Sequence, residues 1–219
     1  MKPQVDPDHY FKPSYDSKGR FISYWHQINE LIKLKPTSIL EIGIGNGLVA
    51  NYLKQRGYNL ITMDIDPRLN PDKVGSVTNI PFPDESFEVV ACFEVLEHLP
   101  YEQFSKALSE IHRVSKKCAV LSIPDATRAY RILLHIPKIG ELKKLIQLPR
   151  LKPPKHQLDG QHYWEIGKAG YPLRRILNDI EKAEFMIIQT YRIFEIPYHR
   201  FFILKKDREK KQLKCVRSF

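Results

Sequence analysis

The chain has 219 residues, long enough to bury a sizeable core in one α/β domain with an insertion. It holds no run of eighteen apolar residues, which excludes a transmembrane helix, and Met1-Lys2-Pro3-Gln4-Val5-Asp6 lacks the apolar stretch of a secretory signal. The formal charge of +10 is uneven: residues 126–160 carry a net +6 and residues 205–219 a net +5, leaving −1 for the remainder. The body is therefore not basic, and the organisation expected is one domain over residues 1–204 followed by a basic tail. Cys92, Cys118 and Cys215 form an odd set without Cys-x-x-Cys spacing. Reduced, packing cysteines fit that pattern better than a disulfide framework or a zinc site, and a cytoplasmic compartment is expected.

In chain order, residues 1–15 are polar and aromatic with three prolines and no regular period. Phe21, Tyr24, Trp25, Ile28 and Ile32 then recur at helical spacing, with Tyr24, Trp25 and His26 as core and rim of a helix packed on a sheet. Ser38 to Ile42 reads as a strand buried on both faces. Gly43, Gly45 and Gly47 force a tight turn, and Leu48 to Arg56 follows as a helix whose free N–H groups point back at the turn. Glu41 stands at the mouth of the strand. This is the layout of a nucleotide-type cofactor site at the carboxyl end of a first strand. A dinucleotide fingerprint would need glycine where Leu48 stands, and a phosphate loop would need Gly-Lys-Ser/Thr, whereas the first lysine after the turn is Lys54.

Asn59 to Met63 is a second apolar run, and Asp64 at its tip is placed to accept both hydroxyls of a ribose. Asp66-Pro67 reads as a turn start. Phe87 to Phe93 is strand four, and Phe104, Ala107, Leu108, Ile111 and Val114 mark a helix before strand five at Cys118 to Ile123. Leu173, Ile176, Leu177 and Ile180 mark a last helix, with Pro172 suited to its first turn. Phe185 to Tyr191 and Arg200 to Leu204 close the chain as an antiparallel pair.

These stretches resemble the class I S-adenosylmethionine (SAM) methyltransferases. Glu41-x-Gly43-x-Gly45-x-Gly47 resembles motif I, Asn79 to Val90 resembles L-P-F-x-D-x-S-F-D-x-V, and Phe93 to Leu99 resembles the F-x-x-L-x-H-L that closes the cofactor pocket. The resemblance covers Thr37 to Ile123 and implies a doubly wound, mostly parallel seven-stranded sheet of the Rossmann-like kind. It implies SAM as cofactor, with the Gly43, Gly45, Gly47 turn against the methionine moiety, Glu41 orienting its amino-acid end, and Asp64 on the ribose. It implies further cofactor contacts at Asn46, Ile65 and Phe93. Many relatives carry an aspartate for the adenine amine where this chain has Ser76, which moves that contact to Ser76 or the Val77 backbone.

Glu94, Glu97 and His98 are spaced i, i+3, i+4, so in a helical turn all three point one way. Carboxylates with one imidazole suit Mg²⁺ or Mn²⁺. The same E-x-x-E-H resembles two subgroups, the ubiquinone-pathway O-methyltransferases and the small-RNA 2′-O-methyltransferases. In the RNA subgroup a further histidine follows strand five, and His162-Tyr163-Trp164-Glu165 matches that setting in part. The resemblance thus implies a metal set of Glu94, Glu97, His98 and His162, with His98 and His162 also the candidate catalytic bases. The open alternative is a polar pocket lined by Glu94 and Glu97, with His98 capping a helix.

Residues 125–163 form an insertion after strand five. Tyr130, Leu133, Leu134, Ile139, Leu142, Leu145 and Ile146 are apolar among basic residues, and Pro137 breaks any single helix. Two helical pieces capping the active site are expected, with Pro149, Pro153 and Pro154 stiffening the connection that follows. The basic segments suit RNA or an anionic membrane surface. Few aromatics stand in the cap, so base stacking has little to work with and a small or lipid-like acceptor is favoured. The activity expected is methyl transfer from SAM to an oxygen of an unidentified acceptor. The alternatives are an RNA 2′-O-methyltransferase and a non-catalytic SAM-binding protein.

Overall fold

The structure is a computed structural model that describes residues 3–207 except 149 and 159. Most of the expected basic tail, from residue 208 onward, and Pro149 lie outside the described residues. Seven strands make one sheet: β1 (Ile39–Ile42), β2 (Leu60–Asp64), β3 (Lys73–Val74), β4 (Phe87–Phe93), β5 (Ser115–Pro124), β8 (Phe185–Arg192) and β9 (His199–Lys206). Their order is β3-β2-β1-β4-β5-β9-β8, parallel from β3 to β5 and antiparallel where β9 pairs with β5 and β8. The order reverses between β1 and β4, the place where open α/β sheets leave a ligand crevice.

Both faces of the sheet are covered, which is why its central strands read as unbroken apolar runs. Ile39 packs on one side with Leu31 of α1 (Lys18–Lys33) and Val49 and Leu53 of α2 (Leu48–Gln55). Its neighbour Leu40 faces the other side, with Leu108 and Ile111 of α3 (Phe104–Val114) and Ile176 and Ile180 of α4 (Leu173–Lys182). Each such fully buried aliphatic side chain contributes about 1.5–3 kcal/mol against exposure. In α1, Tyr24 is buried, whereas Trp25 turns to solvent rather than into the rim.

The described residues of the insertion form no helix. Residues of 129–147 form a two-stranded antiparallel hairpin, β6 (Ala129–Ile136) with β7 (Gly140–Gln147), in register from Ala129 opposite Gln147 to Ile136 opposite Gly140. The expected helical cap is thereby corrected, for a physical reason. Tyr130, Ile132 and Leu134 alternate at the strand period of two and meet Ile146, Lys144 and Leu142 across the ladder. At the turn, Lys138 and Gly140, the first residue of β7, take φ of 69° and 103°, left-handed backbone that closes a hairpin and stops a helix. The root is fastened to the sheet: buried Asp125 accepts from Arg200 Nε at 2.7 Å, and Arg192 donates to the carbonyls of Asp125 and Thr127.

Candidate active site

The carboxyl ends of β1, β2 and β4 open into one cleft, lined by Glu41, Gly43, Gly45, Asn46, Asp64, Ile65, Ser76, Val77 and Phe93. Gly43 follows β1 with φ of 85°, and a Cβ there would lie 2.3 Å from Val95 Cγ2. Only glycine lets this backbone turn under the Val95 side chain. Gly47 does not line the cleft; at φ of 74° it is the residue that starts α2. Asn46 is engaged within the protein, donating to Asp16 and Tyr24 and accepting from Leu48 N–H. Ser76 pairs with Thr78 through their hydroxyls at 2.9 Å.

Asp64 is held for use. Its two oxygens each accept one backbone N–H, from Ile44 and from Asp66, both at 2.9 Å. The carboxylate keeps acceptor capacity to offer a ligand. Burial raises the Asp64 pKa, and these backbone donors offset part of that. Glu41 is fully enclosed, its Oε2 has no hydrogen-bond partner, and burial pushes its pKa up to about 8 against a weak pull from Lys54. The orphaned oxygen leaves one buried acceptor unsatisfied at the cleft wall.

The opposite wall comes from the loop after β4. Glu94 ends the strand with φ of 52°, and only Leu96–His98 forms a helical turn, of the 3₁₀ kind. The expected single helical face of Glu94, Glu97 and His98 is therefore broken at its first member. One ligand atom from each of Glu97, His98 and His162 falls within 4.8 Å of the others, while Glu94 lies outside that group. Glu94 instead faces His199, with Oε2 to Nε2 at 3.8 Å. Both Glu97 oxygens are buried without a hydrogen-bond partner, and burial, then the Glu94 charge, raises its pKa well above the usual carboxylate range.

Both histidines are oriented by their Nδ1 atoms. His98 Nδ1 lies 2.8 Å from Gln4 Oε1 and donates to the Gln161 carbonyl at 3.0 Å, while its Nε2 is 3.9 Å from Glu97. His162 Nδ1 donates to Glu165 at 3.1 Å, and Tyr198 O–H donates to the same carboxylate at 2.6 Å. Burial raises the Glu165 pKa, but His162, Tyr198 and Lys168 outweigh it and hold the group at about 2. A carboxylate behind an imidazole is the arrangement that fixes a histidine for metal binding or proton transfer.

Several lining residues carry no motif. Arg20 of α1 reaches the cleft, donating to the Tyr15 carbonyl and hydroxyl, with its guanidinium 3.9 Å over the Tyr15 ring. Tyr198 and His199 arrive from the start of β9 and the loop before it. Residues 3–15 cross the mouth, where Tyr10 covers Gly45 and Gln4 grips His98. Their signal in the sequence was limited to aromatic and polar residues in a segment without period.

Residues 40–123 match the family model described as "Methyltransferase domain". This stretch of the chain is similar to a methyltransferase domain. Over the best-matched 85 residues it is 35% identical to an uncharacterized protein of Methanocaldococcus jannaschii, an alignment that takes in 36% of this chain and only 36% of that protein. Among solved structures, a SAM-dependent methyltransferase of Clostridium acetobutylicum superposes with a TM-score of 0.61 at 8% identity, covering 92% of this chain and 99% of that one. The 1,6-didemethyltoxoflavin-N1-methyltransferase of Burkholderia thailandensis, solved with S-adenosylhomocysteine, gives 0.56 at 13% identity over 94% and 92%. At such identities these structures share the methyltransferase fold. The hairpin lies beyond the matched residues.

Proposed function

We propose that the protein moves the methyl group of SAM to an oxygen of a small or lipid-like acceptor. The observation that carries this reading is the cleft's division into two walls. One holds Asp64, the Gly43–Gly45 turn and Glu41, fitted to a ribose and an amino-acid end; the other holds Glu97, His98 and His162, fitted to an acidic hydroxyl. Glu41 would take the ammonium of SAM, and Arg20, stacked on Tyr15, its carboxylate. The sulfonium needs no acid catalysis to leave, so the protein's part is alignment for in-line displacement, worth up to about 7–11 kcal/mol when complete. His98 Nε2 or His162 Nε2 would accept the acceptor's proton.

Glu97, His98 and His162 also fit a divalent ion of the Mg²⁺ or Mn²⁺ kind, since Glu97 offers two buried oxygens without partners and both imidazoles are oriented. Such an ion, when bound, supplies acidification of a coordinated hydroxyl. The RNA 2′-hydroxyl reading shares this set and draws on the basic segments; the small or lipid-like acceptor is favoured because the insertion offers aliphatic rather than aromatic surface. The non-catalytic reading leaves the pair of oriented histidines without a use. Incubation with methyl-labelled SAM and a panel of hydroxylated acceptors, with and without chelator, separates the three. Label in a phenolic or lipid hydroxyl supports the proposal, label in RNA supports the second reading, and binding without turnover supports the third.

A further inference from the structure

The β6–β7 hairpin presents two unlike faces. On the inner one, Arg131 donates to the Glu195 carbonyl and Lys143 pairs with the Glu195 carboxylate at 3.0 Å, two ties to the body, while Leu133 on the same face stays 52% exposed. The outer face carries Tyr130, Ile132, Leu134, Leu142 and Ile146, with Lys144 among them and no acidic residue. Tyr130, Ile132, Leu134 and Leu142 are each exposed, and Ile139 at the tip is 74% exposed beside Lys138. A two-stranded sheet is marginal in water by itself, and a continuous aliphatic face on one implies a surface that covers it.

The charge on that face selects the occupant. A second copy docking face to face would bring two Lys144 side chains together within an apolar seam, with no acid on the face to pair with them. RNA would find cations but a single aromatic ring and an aliphatic floor. An anionic lipid surface meets both features: the aliphatic residues enter the interface while lysines at the tip and on the face extend to the headgroups. We infer that the outer face of the β6–β7 hairpin docks the protein on an anionic bilayer surface. The hairpin springs from the carboxyl end of β5, the edge of the sheet where the cleft opens. Docking therefore sets the cleft mouth near the headgroups. That consequence rests on the methyltransferase reading, whereas the docking does not.

The test is co-sedimentation of the full chain with vesicles of mixed phosphatidylglycerol and phosphatidylcholine, and with pure phosphatidylcholine, at about 50 and 200 mM salt. The expected result is partitioning at least about tenfold stronger to the anionic vesicles, weakening with salt. Lys138→Gln with Lys144→Gln should lose about twenty-five-fold, from about fivefold per basic residue at such a surface. Leu134→Ser with Leu142→Ser should lose at least about tenfold, while Leu133→Ser on the inner face stays within about twofold. Thermal melting of each variant shows that the fold is intact, and Ile139→Trp should shift its emission to the blue only with anionic vesicles. Four outcomes would overturn the inference: no binding at low salt, equal binding by outer-face and inner-face variants, a dimer that the outer-face variants dissociate, or preference for single-stranded RNA through the same residues. Calorimetric titration of the same wild-type sample with S-adenosylhomocysteine reports the methyltransferase reading separately, so either can fail alone.

Discussion

Beside the cleft, large apolar side chains are enclosed on all sides, whereas on the β6–β7 hairpin rows of aliphatic residues are half exposed. Trp164 shows the first condition: it is fully buried, donates Nε1–H to the Leu99 carbonyl at 3.1 Å, and meets Tyr101 and Phe104 edge to face. Leu134 shows the second, paired across the ladder with Leu142 and otherwise half in water. The difference teaches that apolar character has two uses in this chain. In the cleft walls it fixes polar groups in place, and on the hairpin it is surface left to be covered.

The contrast should be largest in stability. Trp164→Ala, which empties a site beside Leu99, Tyr101 and Phe104, is expected to cost about 3–5 kcal/mol in denaturant unfolding. Gly43→Ala comes next: a Cβ at 2.3 Å from Val95 in a backbone with φ of 85° forces the turn to move. About 1–3 kcal/mol of strain should appear in the same assay, with loss of cofactor binding. A cost at Gly43 no greater than at Gly140, where a Cβ meets nothing within 4 Å, would break the comparison.

Glu41 sharpens it further through pH. Its folded pKa of about 8 lies above the ordinary 4.5, so the folded chain binds a proton that the unfolded chain has released. Stability should therefore fall as pH rises between those values, by at most about 1.4 kcal/mol per pH unit, and Glu41→Gln should flatten that slope. Cofactor binding should run the other way, strengthening as pH rises toward about 8, because a ligand ammonium favours the ionised acid. The smallest effect belongs to the hairpin, where Leu134→Ala in the free protein should stay within about 0.5 kcal/mol.

The same contrast explains what the sequence disclosed. Ser38 to Gly47 was legible because a strand buried on both faces must be apolar throughout and the turn after it admits only glycine at Gly43. The carboxylate tip at Asp64 and the antiparallel closing strands were legible on similar grounds. The hairpin was misread because apolar residues fall on both of its faces, Leu133 and Leu145 as well as Leu134 and Leu142, which blurs the period of two. Glu94 was placed with Glu97 and His98 by helical spacing, yet its φ of 52° takes it out of that turn and toward His199. Arg20, Tyr198 and His199 went unseen, since their meeting at the cleft is a product of tertiary folding with no local pattern.

The central claim is that this cleft is a SAM site built on Asp64 and the glycine turn. Calorimetric titration of wild type and Asp64→Ala with S-adenosylhomocysteine tests it most directly. Removing a charged acceptor of two hydroxyls should weaken binding by about 1.5–3 kcal/mol, roughly ten- to over a hundredfold, with melting little changed. Unchanged affinity in Asp64→Ala, or no binding by the wild-type chain, would contradict the account.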